Sequence, residues 1–221
     1  MSGLTTSPKL IKGGLVVLDA ATGAVKRTIA LQYNPDTLSR TYQVQGVGGE
    51  GGGDRAQPFR LKGPAIESIK LDAEIDATDA LELPDQNADT LQFGIAPQIA
   101  VLEALVNPSV AELQALAELS AQGTLEIVPP EAPLVLFVWG AARVVPVRVT
   151  DFSVTEEAFD PLLNPLRAKV SLGLRVMSTD DLGFDHRGSS VFINHLRARE
   201  SLAGKSRAAS LQTIGLTRLP V

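Results

Sequence analysis

Residues 147–176, VRVTDFSVTEEAFDPLLNPLRAKVSLGLRV, constrain the fold of this chain more than any other stretch. Val145, Val147 and Val149 hold odd positions, whereas Phe152 and Val154 hold even ones. One inserted residue changes the phase of a strand in this way, so the pattern predicts a β-bulge at Thr150–Asp151. Further on, Leu166, Ala168, Val170, Leu172, Leu174 and Val176 keep one parity, with Arg167, Lys169 and Arg175 on the other. Pro161 and Pro165 end the two runs. The stretch is therefore a long β-hairpin, and the chain that carries it is mainly β.

The two arms differ in charge. Asp151, Glu156, Glu157 and Asp160 precede the turn; Arg167, Lys169 and Arg175 follow it. Opposite charges across a strand pair contribute a few tenths to about 1 kcal/mol each, enough to favour pairing within the chain or with a neighbouring copy. Glu156 and Glu157 are adjacent on an extended arm, so they point to opposite faces and do not form a catalytic pair.

Other segments repeat the period-two signal. In VKRTIALQYN, Ile29, Leu31 and Tyr33 alternate with polar or small residues, and LVVLDAATGAV upstream reads as a short strand turning back through Thr22–Gly23. LSRTYQV alternates through Leu38, Tyr42 and Val44; NPDT, Asn34 to Thr37, reads as a tight connection between these strands, with Pro35 supplying its fixed φ. In IESIKLDAEIDA, Ile69, Leu71, Ala73, Ile75 and Ala77 face one way, and Lys70, Asp72, Glu74 and Asp76 the other. Those carboxylates fan apart along a strand and lack a calcium loop's glycine turn, so they read as a solvated or lumen-facing side. Leu134 to Trp139 is apolar on both faces, as in a strand covered on both sides.

Residues 97–123 read as helical: Ile99, Leu102, Leu105 and Val106 recur at helical spacing. Ser109 and Glu112 form an S-x-x-E capping box, and Gly123 ends the run. Val110, Leu113, Leu116 and Ala117 are expected to pack against a sheet. Gly46, Gly48 and Gly51 satisfy G-x-G-x-x-G, but no helix opens after them, so residues 46–58 read as a mobile loop.

A chain of 221 residues buries one core, or one core and a small appendage. Residues 1–180 read as the β domain and 181–221 as a basic extension. In the extension, SSVFINHLRARESL reads as a short amphipathic helix through Val191, Leu196 and Leu202, and Arg187, Arg197 and Arg199 supply charge for a partner. The last residues read as a tail that orders against that partner. A net charge of −5 argues against a general nucleic-acid binder. With no cysteine, thiolate metal sites and thiol nucleophiles are excluded. His186 and His195 have no third ligand at metal-site spacing, and neither a nucleophile elbow nor a phosphate loop is present. No run of apolar residues reaches the length of a membrane span, and MSGLTTSPKLIKGG lacks the core of a signal peptide, which predicts assembly in the cytoplasm. Neither an enzyme nor a cofactor is expected.

Four segments also carry a resemblance, in order along the chain: LQYNPDTLSR (31–40), GPAIESIKLDAEIDATD (63–79), PPEAPLVLFVWG (129–140) and the hairpin itself (147–176). They resemble the contractile injection system tube protein family, whose most specific marks here are Asn34, Pro35 and Leu38, then Trp139–Gly140, then the hairpin. The resemblance implies a tail-tube-like β-barrel or packed sheets with flanking helices. It further implies a sixfold ring in which hairpins pair between neighbours through Val147, Val149, Phe152, Val154, Glu156, Glu157, Asn164, Arg167, Lys169, Val170, Leu172 and Leu174. Implied partners are inner tube subunits and the spike hub and baseplate. Related proteins continue into a LysM module; residues 180–221 show no such pattern, so the extension is expected to dock on a baseplate component, or a separate LysM protein fills that place. The reading from a different class is a monomeric β-rich binding module with its ligand near Trp139 and the glycine-rich loop; a hydrolase using separated carboxylates comes third.

Overall fold

The computed structural model describes residues 10–19, 22–46, 61–121 and 132–219. Its strands are β1 (Gly14–Leu18), β2 (Val25–Ala30), β3 (Leu38–Gln43), β4 (Ile66–Asp76), β5 (Leu134–Val138), β6 (Val144–Phe159) and β7 (Pro165–Val176). Its helices are α1 (Thr78–Leu81), α2 (Ala88–Phe93), α3 (Ala96–Glu103), α4 (Val110–Ala121), α5 (Thr179–Leu182) and α6 (Arg187–Ala203). The strands make one seven-stranded sheet in the order β2-β1-β5-β6-β7-β4-β3, antiparallel throughout.

The long hairpin sits at the centre, flanked by β5 and β4. Its register slips between Val149 and Asp151, so the bulge lies where the change of phase places it. This lets Val145 and Val147 before the slip and Phe152 and Val154 after it face the same core. On β7, Ala168, Val170 and Leu174 are fully buried, and Leu172 and Val176 nearly so. β4 contributes Ile69, Leu71 and Ala73 from the parity its alternation assigns, and β5 is buried on both faces. Phe137 and Val135 point into the main core; Leu134 and Leu136 face Leu18 and Val191 of α6.

NPDT does not join two paired strands. β2 and β3 lie at opposite edges of the sheet, and residues 31–37 carry the chain from one edge to the other. That short crossing requires the sheet to curl. The Gln32 side chain marks the closest approach: its Oε1 accepts the Asp76 N–H at 2.9 Å, and its Nε2 donates to the Asp76 carbonyl at 2.8 Å. A side-chain amide here takes the place of a neighbouring strand.

Among the described residues the curled sheet is not closed into a barrel. β3 covers β4 only from Ile66 to Leu71, leaving Ala73–Asp76 without a strand on that side. The resulting seam, between β2 and the second half of β4, is a groove of about 430 Å³ floored by Leu31, Leu172 and Leu102.

The helices depart further from expectation. α3 docks Ile99 and Leu102 in the core, but no residue of α4 is buried. Val110, Leu113 and Leu119 are exposed, so α4 holds its capping box, with Glu112 Oε2 accepting from Ser109 N–H and hydroxyl at 2.7 Å, without packing on the sheet. Its position after the Asn107–Pro108 break carries it off the core surface, which periodicity by itself does not reveal. The helix of the extension is longer than expected and joins the fold: Phe192 enters the main core, Ser189 and His195 are buried, and Leu202 is exposed. Residues 204–219 are exposed, with one 3-10 turn at Leu211–Ile214. The glycine-rich run 47–58, the proposed end of α4 at Gly123 and residues 124–131 lie outside the described residues.

Candidate assembly surfaces

Polar side chains gather at several places among the described residues. The first is the outer face of β4, β7 and β6. Arg167 stands opposite Asp76 and Glu157 in register. Its Nε lies 2.7 Å from Asp76 Oδ2 and 3.7 Å from Glu74 Oε1, and Lys169 Nζ lies 2.9 Å from Glu157 Oε1. The Thr78 hydroxyl and backbone N–H hold the Asp76 carboxyl below its ordinary value, with Arg167 adding to the effect. Asp76 in turn raises Arg167, and Glu157 raises Lys169. Acidic, basic and acidic strands thus lie side by side, so the carboxylates of β4 are matched by β7. Pairs this exposed contribute at most about 1 kcal/mol each, so the ladder tunes register and surface charge more than stability.

The apolar residues assigned to the hairpin do not share this face. Val147, Val170, Leu172 and Leu174 are buried in the protomer's own core, and Val149, Phe152 and Val154 pack against it. Glu156, Glu157, Arg167 and Lys169 lie at the hairpin's surface, as does its tip. There Asn164 Nδ2 donates to Asp160 Oδ2 at 2.7 Å and to the Gln92 carbonyl at 3.1 Å.

The family-motif residues have structural work to do. Asn34 Oδ1 accepts the Gly13 N–H at 2.8 Å and its Nδ2 donates to the Ile11 carbonyl at 2.9 Å, so one amide clamps the entry to β1. Pro35 follows in the crossing segment, and Leu38 pairs with Leu71 at the far edge. Trp139 stacks on Phe137, with ring centroids 5.9 Å apart. A Cβ on Gly13 would lie 2.4 Å from the Trp139 ring, so glycine is required there. Gly140 adopts φ +75° in the turn to Arg143, a conformation that glycine takes without strain.

A third cluster, where α6 meets the opposite end of the sheet from the hairpin tip, is one that sequence reasoning missed. Glu67 is 3% exposed. Its Oε1 accepts from Arg40 Nε at 2.7 Å and from the Tyr42 hydroxyl at 2.8 Å, and Arg199 Nη1 approaches Oε2 at 3.5 Å. The guanidinium groups of Arg40 and Arg199 also lie 5.2 and 5.1 Å from the Tyr42 ring centroid. Arg199 is therefore engaged within the chain, Arg197 reaches Asn194 at 3.1 Å, and Arg187 lies beside the Gly23 turn. One signal was available: Glu67 has the parity of Ile69, Leu71 and Ala73, which places a carboxylate on the core face.

Beside this cluster His195 is 5% exposed, with the Ala142 backbone facing its ring. Burial lowers its pKa; Glu67 opposes that shift, while Arg199 and Arg40 reinforce it. A histidine with a lowered folded-state pKa takes up its proton more readily when unfolded. Stability is therefore expected to fall as pH drops below the unfolded value of about 6.5 and to level off below the folded one. Replacing His195 by Phe should remove that step and leave the acid loss from carboxylates such as Asp19, Asp76, Glu112 and Asp160, whose lowered pKa values act further down. Denaturant midpoints measured from pH 8 to pH 4 check this; an unchanged step in the variant would assign it elsewhere.

Among the described residues no group of His, Cys, Asp and Glu side chains could hold a metal ion, and no helix is long and apolar enough to cross a membrane. The described residues thus form a curled antiparallel sheet with two unpaired edge strands and a long central hairpin. The model of the contractile injection system tube protein family matches residues 15–184, and the chain belongs to that family, whose members are structural parts of phage-tail-like particles. No curated protein matches it. Among solved structures, the tail of an empty GTA particle with C6 symmetry shares 13% identity, covering 74% of this chain and 90% of that one. At a TM-score of 0.29 that likeness carries no argument.

Proposed function

We propose that the chain forms a homohexameric ring that initiates the inner tube of a contractile injection particle and joins it to the spike hub and baseplate. The observation that carries this is the unclosed seam: a sheet whose two edge strands and groove remain open is completed by neighbouring copies, and a closed ring leaves no edge exposed. The ladder formed by Asp76, Glu157, Arg167 and Lys169, with Glu156 on the opposite face of the hairpin, supplies charge for a neighbour, and residues 181–221, with Arg187, Arg197 and exposed residues 204–219, supply the surface toward a baseplate component or a separate LysM protein. Inner tube subunits stack on the ring. The role is structural, without catalysis or nucleic-acid binding, and assembly takes place in the cytoplasm.

Sedimentation of native lysate followed by mass spectrometry of the fast fraction tests this reading. A few copies per megadalton particle, beside far more abundant sheath and tube subunits, are expected. Copy numbers equal to the sheath's would make this the tube body, and a small soluble species would favour the monomeric binding module.

A further inference from the structure

The turn between β6 and β7 is built to hold large apolar side chains in solvent. Asp160 Oδ1 accepts the N–H groups of Leu162 and Asn164, each at 2.8 Å, and the Asp160 N–H donates to the Asn164 carbonyl at 3.0 Å. Ala158 and Leu163 adopt φ of 53° and 66° without being glycine, a conformation that persists where the surroundings determine it. The outcome is a fixed tip on which Leu162 and Leu163 are each 80% exposed and Phe159 is 50% exposed. Leu91 and Phe93, on either side of the Gln92 to which the tip is tied, are also exposed.

The seam groove has the complementary character. Its volume of about 430 Å³ falls within the range of about 300–1,000 Å³ typical of small-ligand pockets, and Ile29, Leu31, Ile75, Val101, Leu102 and Leu172 line it. Arg27 stands on its rim, whereas the tip is flanked by Glu156, by Asp160 and by Glu157, the last paired with Lys169. The carboxylate on the groove wall, Glu74, already faces Arg167. Charge and polarity therefore match between tip and groove. The contact to Gln92 holds the tip against its own α2.

We propose that Leu162 and Leu163 of one copy seat in the seam groove of the next, with the acidic tip beside Arg27. The two patches differ, so the contact is head-to-tail and repeats around a ring or along a filament. The inference rests on the tube-subunit reading and names the surfaces that reading needs.

The chain has no cysteine, which makes site-specific crosslinking unambiguous. The full chain carrying both Leu162→Cys and Ala30→Cys, oxidised at low concentration and also within isolated particles, should give a ladder of covalent oligomers, while each single variant gives none beyond a dimer. Independently, Leu162→Asp/Leu163→Asp and the groove-filling Ala30→Trp should each block assembly yet form a 1:1 complex when mixed, since one keeps its groove and the other its tip. Unchanged circular dichroism would show that both fold. Incorporation into particles without a ladder overturns the tip–groove contact while leaving the tube-subunit reading intact. A ladder from a protein absent from particles supports the contact and removes that reading. Absence of particles, ladder and mixed complex overturns both.

Discussion

Val170→Pro is expected to abolish the native fold. Val170 is fully buried on the central strand β7, paired with Ala73 of β4 on one side and Val154 of β6 on the other. Proline has no N–H to donate and is found in sheets essentially only at edges and bulges, so the substitution removes a ladder hydrogen bond and sets the proline ring against the neighbouring strand in the middle of the sheet. Added to the loss of packing, the effect is expected to exceed about 4 kcal/mol, comparable with the total stability of about 5–15 kcal/mol of a folded domain. Val170→Ala keeps the N–H and removes only part of the side chain, so it should lose about 2 kcal/mol and still fold. Far-ultraviolet dichroism, denaturant titration and sedimentation with particles separate the two variants. Native signal and wild-type incorporation for Val170→Pro would count decisively against the hairpin as the framework of the fold.

Glu67→Ala should have the next largest effect. The carboxylate is shared by Arg40, Tyr42 and Arg199, and its removal leaves two guanidinium groups with only the Tyr42 hydroxyl oxygen, which already accepts from Arg40, to face. Breaking a fully buried pair costs about 3–5 kcal/mol, but side chains of Arg40 and Arg199 are 24% and 41% exposed, so water screens part of it and about 2–3 kcal/mol is expected. The loss should be felt first in α6, because Arg199 is its tie to the edge of the sheet. Hydrogen exchange should therefore accelerate in residues 187–203 before it does in β4 or β7, and Glu67→Gln, which keeps an acceptor, should lie between. Equal exchange in α6 for all three proteins would remove this cluster as its anchor.

Much of the framework was legible because period-two burial is a local property. The phase change at Thr150–Asp151 located the bulge, the parity of Ile69, Leu71 and Ala73 oriented β4, and the doubly apolar run at Leu134 marked a strand covered on both faces. The same reasoning misplaced α4, whose apolar positions stay in solvent. It also treated the last helix as an appendage, although Phe192 and His195 are buried in the fold. The short helices α1 and α2 went unnoticed, since a helix of one turn leaves no period to read.

By itself the sequence determined the strands, the hairpin, its bulge and the face each side chain takes, because these follow from alternation over neighbouring residues. The tertiary structure decided that β2 and β3, adjacent along the chain, stand at opposite edges, and that a seam lies between β2 and β4. It also gathered Arg40, Tyr42, Glu67, His195 and Arg199 at one end and set Leu162 and Leu163 in solvent at the other. Strand order and end-on proximity depend on how the whole sheet curls to bury its core, which is a property of all seven strands together and of no single stretch.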